Sequence, residues 1–345
     1  MIKDAIQRVV SGADLNEEEA AAVMNIIMSG EASPAQIAAL LIAMRLKGET
    51  VDEITGFARV MRERATPIHS RHSMVVDTCG TGGDGLNTFN ISTAAALVVA
   101  GCGVPVAKHG NRSVSSRCGS ADVLEALGIN IDLTPGEKEE CLNDVGIAFL
   151  FAPALHGAMK HAAGPRREIG VRTVFNVLGP LTNPAGASAQ VLGVFSRDLV
   201  PKLAGVLARL GTKRAFVLHG SGGTDEITTL GPAYVCEVSG GKVRDYEIDP
   251  LEYGLKRARI DELSGGSPAE NASIIKSILE GKSGPGRDTV VLNAALALVA
   301  SGSAEDLTRG LSMAEKSIDS GQAGEKLAQL AQFTTLRRTR KAAMS

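Results

Sequence analysis

Over residues 1 to about 65, apolar positions recur at helical spacing, and short polar signatures mark where each run begins. Ser33, with Pro34 at the first helical position and Gln36 closing a capping box, precedes the apolar run Ile37–Leu46, which stops at Gly48. Thr50 and Glu53 repeat the signature for the next helix. The pattern predicts a small all-helical unit, and Pro67 with the polar run through His72 predicts the hinge out of it.

From Met74 the period changes. Short β-branched runs at Met74–Asp77, Val104–Ala107, Ile147–Phe151, Gln190–Phe195 and Ala215–His219 alternate with helix-like stretches such as Ser92–Ala100, Ala121–Leu127 and Leu199–Leu210. This is the rhythm of a parallel sheet with helical crossovers. Residues 267–335 return to helix, punctuated by Ser267-Pro268 and Gly284-Pro285. The expected fold class is α/β: a small helical domain over 1–72, joined by helices from about 165–190, and a large α/β domain over 73–345 with a mainly parallel central sheet.

A chain of 345 residues is long enough for two cores. Its net charge of −2 argues against a general nucleic-acid or membrane-surface binder, so any phosphate site must be local. The five cysteines, Cys79, Cys102, Cys118, Cys141 and Cys236, lack C-x-x-C spacing and suggest neither a disulfide framework nor a zinc cluster, which favours a reducing cytoplasm. The opening Met1-Ile2-Lys3-Asp4 does not read as a signal peptide, and no apolar run approaches the ~20 residues of a membrane span. The basic stretch Arg337–Lys341 reads as a solvated helix end.

The glycine-rich turn Gly80-Thr81-Gly82-Gly83-Asp84-Gly85 literally fits the dinucleotide pattern G-x-G-x-x-G. That pattern needs an acid roughly 20 residues on to hold a ribose hydroxyl. From Leu86 to Ala121 there is no Asp or Glu, while Thr88, Asn90, Ser92, Thr93, Lys108, Asn111, Arg112, Ser113, Ser115, Ser116, Arg117 and Ser120 all occur. A glycine turn followed by hydroxyls, amides and cations suits a ligand with several phosphates.

Ligands of open α/β sheets gather beyond the carboxyl ends of the strands, and three motifs fall there. The Gly80–Gly85 turn leads into a helix start carrying Asn90, Ser92 and Thr93, which can bind an anion or simply cap the helix. Lys108–Ser116 offers a point charge at Lys108 and close backbone approach at Gly110; His109 is equally readable as a structural histidine. Asp225 and Glu226, adjacent on the loop Gly220–Thr224, face different ways. That suits two Mg²⁺ ions held mainly through water and phosphate oxygens, although two acids favoured by a helix dipole give the same sequence. A fourth motif, His156–Glu168, supplies Arg166, whose fork can grip a carboxylate or pair with Glu168.

In this order, Gly80–Gly85, Asn90–Ala94, Lys108–Ser116, Gly119–Asp122, Met159–His161 with Gly164–Arg167, Phe175–Pro184 and Asp225-Glu226 closely resemble the anthranilate phosphoribosyltransferase family over essentially the whole chain. The resemblance implies joining of anthranilate to phosphoribosyl pyrophosphate (PRPP) in tryptophan biosynthesis. It also implies a nucleoside phosphorylase/phosphoribosyltransferase-type fold, a homodimer formed through the helical domain, and Mg²⁺, two per subunit. PRPP contacts would fall to Gly80, Gly83, Asp84, Thr88, Asn90, Ser92, Thr93, Lys108 and the loop through Arg112, Ser113, Ser115 and Ser116, with Ser120 nearby. Mg²⁺ contacts would fall to Ser92, Asp225 and Glu226, and anthranilate contacts to Asn111 and Arg166. Lys108, Asp225 and Glu226 are the candidates for stabilising the departing pyrophosphate, and 175–184 resembles a structural return through the hinge. A departure is Gly157, where family members often carry Pro. The competing expectations are a pyrimidine nucleoside phosphorylase of the same fold and a non-catalytic nucleic-acid binder. Against the latter stand the absence of Trp and an aromatic content of only 3%.

Overall fold

In the computed structural model the described residues are 1–113 and 117–344, with side chains as far as Arg337. The chain opens with four helices, α1 (Ile2–Val10), α2 (Glu17–Ser29), α3 (Pro34–Lys47) and α4 (Val51–Arg64). Both expected capping boxes form: Ser33 accepts from the Gln36 amide at 3.2 Å while the Gln36 side chain accepts from the Ser33 amide at 2.9 Å, and Thr50 and Glu53 do the same. Glu53 goes further, because its buried carboxylate also accepts from the Leu15 amide at 3.0 Å and Lys47 Nζ at 3.0 Å. A helix cap thereby ties α4 to the end of α3 and to the α1–α2 loop.

The α/β part is built on one seven-stranded sheet of order β3-β2-β1-β4-β5-β6-β7. Its parallel strands are β1 (Val76–Gly80), β2 (Val106–Gly110), β3 (Ile147–Phe151), β4 (Ala189–Gly193) and β5 (Arg214–His219). Between β1 and β2 lies α5 (Ile91–Gly101), a charge-free helix almost entirely buried. Then follow α6 (Ser120–Ala126), α7 (Pro135–Asp144), the short α8 (Ala152–Leu155), α9 (Lys160–Ile169), α10 (Phe175–Leu178) and α11 (Leu199–Arg209). The C-terminal helices α12 (Pro268–Leu279), α13 (Pro285–Ala300), α14 (Leu307–Asp319) and α15 (Gln322–Met344) cover α5, which explains why α5 is apolar all round.

A second hydrophobic cluster joins the helical bundle to Leu192, Val217 and Val238 of the sheet, with α11 packed between α4 and strands β5 and β6. Arg62 of α4 stitches the joint, donating from Nε to the Leu181 carbonyl at 2.6 Å and from Nη1 to the Leu210 carbonyl at 3.3 Å. Helix α9, which carries Pro165 internally, packs on α2 and α3.

Two features differ from the sequence reading. The hairpin β6 (Ala233–Ser239) and β7 (Lys242–Ile248) extends the sheet antiparallel; its signal was Gly240-Gly241, with φ of 56° and 76°, a primed turn between alternating runs. Strands β1 and β2 also run about three residues further than expected, so Gly80, Lys108 and His109 lie within strands instead of opening loops. The ladder to β3 carries β2 onward, pairing Lys108 with Phe149 and His109 with Leu150, and buried polar partners make these polar positions tolerable. Among the described residues no helix is long and apolar enough to cross a membrane.

Candidate active site at the carboxyl ends of the strands

A cavity of about 340 Å³ opens where β1, β2 and β5 end. Gly80, Gly83, Asp84, Thr88, Asn90, Ser92, Thr93, Lys108, Asn111, Arg112, Ser113, Ser120, Arg166, Asp225 and Glu226 all line it. Ser115 and Ser116 lie outside the described residues.

Asp225 and Glu226 cross the ends of β4 and β1 and diverge, as expected of them. Asp225 Oδ2 accepts the Gly82 amide at 2.6 Å, and Glu226 Oε1 accepts the Ser92 amide at 3.1 Å. They therefore cap the glycine turn and the first turn of α5, not a helix of their own. A Cβ on Gly80 would lie 2.5 Å from Asp225 Oδ2, so only glycine permits this approach. Burial pushes the Asp225 carboxyl up to about 7, with Asp84 adding repulsion, and burial pushes Glu226 up to about 8, with Asp225 adding repulsion.

Lys108, expected as a point charge for a phosphate, is buried in β2. Only 3% exposed, it donates from Nζ to the Thr78 carbonyl at 2.6 Å and the Ser92 hydroxyl at 3.3 Å. Burial lowers its pKa, and the fields of Asp77, Cys79 and Glu226 oppose that fall. Its Nζ is held in place beneath the α5 N-terminus.

Asn90 occupies the α5 N-cap position but its side chain does not cap; Nδ2 donates to the Cys118 carbonyl at 3.2 Å instead. Thr93 Oγ1, buried in the same turn, and Asp84 Oδ2 have no protein partner. Arg112 lines the cavity while pairing with Asp122 at 3.0 Å and Glu125 at 2.6 Å, acids just past the acid-free field. Arg166, by contrast, makes no ion pair among the described residues, Glu168 included; it stacks on Phe175 at 4.9 Å and faces the cavity. Burial lowers its pKa.

The His109 ring donates from Nδ1–H to the Gly179 carbonyl at 3.1 Å, since a carbonyl can only accept, leaving Nε2 buried and unpartnered. The structural reading of this histidine thus has a physical basis. Sequence reasoning missed that Phe175, Asn176, Gly179 and Pro180 line the cavity, having taken 175–184 as a structural return. It also missed Arg172, which donates to the Gly83 carbonyl and stacks on Phe195 at 4.6 Å. Nothing in the local sequence marks a hinge arginine as a partner of a glycine turn 89 residues earlier.

Comparison with known proteins matches residues 3–65 to the glycosyl transferase family helical bundle domain and 72–324 to the glycosyl transferase family a/b domain. An anthranilate phosphoribosyltransferase from Pelotomaculum thermopropionicum is 66% identical over 334 residues, 97% of each chain. The chain belongs to the anthranilate phosphoribosyltransferase family. The solved structure of this family's member from Thermus thermophilus superposes with a TM-score of 0.91 at 47% identity, covering 96% of this chain and 99% of that one. The Saccharomyces cerevisiae member, solved in complex with PRPP and Mg, gives 0.88 at 27% identity over 97% and 98%. These relatives support the transferase reading and neither the nucleoside phosphorylase nor the nucleic-acid-binding alternative.

Proposed function

We propose that this chain transfers the phosphoribosyl group of PRPP to the amine of anthranilate, releasing pyrophosphate, in tryptophan biosynthesis. One observation carries the reading. The cavity joins a polyanion cradle, made by the glycine turn, the α5 N-terminus and buried Lys108, to an arginine without an acidic partner, Arg166, suited to a carboxylate. PRPP would contact Gly80, Gly83, Asp84, Thr88, Asn90, Ser92, Thr93 and Lys108; anthranilate would contact Asn111 and Arg166.

The donor set fits Mg²⁺. Among the described residues no three His, Cys, Asp or Glu side chains converge on a closed cage, as expected for a metal that keeps water and phosphate ligands. Asp225, Glu226 and Ser92 would hold it, and two ions per subunit suit carboxylates that diverge. Bound Mg²⁺ supplies charge neutralisation of the pyrophosphate.

Displacement at the anomeric carbon separates charge between the ribose ring and the leaving group. Lys108, fixed at its position before reaction, and the positive end of the α5 dipole stabilise the negative end with no reorganisation. An arylamine is neutral and nucleophilic near pH 7, so the site needs orientation more than a strong base. Arg166 and the Phe175 ring hold the acid, and closure about residues 66–73 excludes water.

We place the protein in the cytoplasm, consistent with five unpaired cysteines, and as a homodimer through the helical domain. Val10 and Leu46, 69% and 82% exposed on α1 and α3, support that surface. Loss of anthranilate fluorescence with protein, Mg²⁺ and PRPP, against controls lacking each, tests the activity. Phosphorolysis of thymidine in its place would overturn it.

A further inference from the structure

The segment 263–271 clamps the donor site from a distance in sequence. The Phe89 amide donates to the Leu263 carbonyl at 3.1 Å, the Gly265 amide to the Asn87 carbonyl at 2.8 Å, and Thr88 bridges Ser264 antiparallel. At its end sits Asn271, on the first turns of α12 and 1% exposed. Its Oδ1 accepts the Gly266 amide at 2.7 Å, and its Nδ2 donates to Asn90 Oδ1 at 2.9 Å. Asn90 Nδ2 in turn donates to the Cys118 carbonyl at 3.2 Å. The result is a one-way relay: Gly266 N–H to Asn271, Asn271 to Asn90, Asn90 to Cys118.

An asparagine amide has two nearly isosteric orientations, and only its partners select one. Asn90 sits at the N-cap, where an asparagine oxygen ordinarily turns to accept from the helix's own first amides. Here it does not, because Asn271 holds the oxygen and Cys118 takes the nitrogen. Asn90 itself lines the cavity, the Thr93 hydroxyl in the same turn stays without a protein partner, and the 117–119 end of the Lys108–Ser120 region is anchored. Asn271 itself is not among the residues lining the cavity. Close packing supports a fixed geometry: a Cβ on Gly265 would lie 2.7 Å from Phe89 Cα and 2.8 Å from Asn271 Oδ1.

We infer that Asn271 is a positioning residue for PRPP binding, acting through Asn90 by fixing the orientation of its amide. The inference rests on the proposed transferase activity. It assigns to a helix residue outside the cavity the orientation of a side-chain amide that lines it.

Asn271→Asp tests it, being isosteric and still able to accept from Gly266 while unable, as a carboxylate, to donate to Asn90. The expected result is a PRPP KM raised roughly tenfold, the scale of one hydrogen bond of about 1.4 kcal/mol, with the anthranilate KM within about twofold of wild type. In an Asn90→Ala background the same substitution should have no further effect on the PRPP KM, because the relay is already broken. Equal damage to both KM values, an unchanged PRPP KM, or full additivity with Asn90→Ala would overturn the inference. Should Asn271→Asp not fold, as judged by circular dichroism, Asn271→Ser removes the same amide and carries the same comparison. Wild-type protein that consumed no anthranilate would instead refute the transferase activity, so the two failures are distinct.

Discussion

A Cβ placed on Gly193 would lie 1.6 Å from the carbonyl oxygen of Asp225. The last residue of β4 is therefore glycine because the segment bearing both acidic side chains passes directly over the strand's end. With Gly80 on β1 and Gly220 after β5, where a Cβ would meet the Glu226 carbonyl oxygen at 2.0 Å, three glycines clear a track for Asp225 and Glu226 across the sheet. The acids owe their position to what the neighbouring strands lack.

Gly193→Ala must displace that backbone, since a peptide oxygen cannot yield as a flexible side chain would. A shift of about 1 Å at a charge-stabilising group costs on the order of 100-fold in rate, and overpacking costs about 1–3 kcal/mol of stability. Steady-state kinetics with a Mg²⁺ titration, beside a urea melt, should show a large loss of kcat. Wild-type kinetics in this variant would mean the track tolerates a side chain.

Arg166→Ala should raise the anthranilate KM by roughly 10–100-fold, the loss expected of one charge-assisted interaction. The PRPP KM should change far less. Equal damage to both would count against the carboxylate role, and fluorescence titration of anthranilate binding gives an independent reading.

Local chemistry explains what was legible beforehand. Capping boxes at Ser33 and Thr50 and the β-branched runs act between neighbours in sequence, so helices α3 and α4 and the five parallel strands could be read from the chain. The residues that gather in the cavity were legible because glycine turns and donor-rich runs follow strands, and strand ends converge. Partners supplied by distant segments were not. Arg112 looked available until α6 brought Asp122 and Glu125 to it, Lys108 looked like a loop residue until β3 extended the ladder, and Gly193 looked like any strand residue.

Asp225→Asn combined with Glu226→Gln keeps shape while removing both ionisable carboxyl groups. The variant should need at least about tenfold more Mg²⁺ for half-maximal activity, since charge count sets the affinity of oxygen-ligand sites. Full activity at limiting Mg²⁺ would sink the metal assignment.

The last prediction concerns stability and pH. His109 and His156, 5% and 7% exposed with ring centroids 5.2 Å apart, are held neutral by burial, which pushes their pKa values down to about 3 and about 4. The His156 imidazolium and Lys108 add repulsion at His109. A folded pKa below the unfolded value of 6.5 means that the unfolded chain takes up a proton first as pH falls. Stability from each histidine is therefore full above pH 6.5 and is lost between there and the folded pKa, at about 1.4 kcal/mol per pH unit. Asp77, pushed up to about 6 by burial, titrates in the opposite sense, so the whole-protein slope mixes terms. The comparison with His156→Gln removes them. Between pH 7 and pH 5, wild type should lose about 2 kcal/mol more stability than the variant. Urea denaturation at both pH values measures the difference, and parallel losses in the two proteins would show that His156 is not held neutral in the fold.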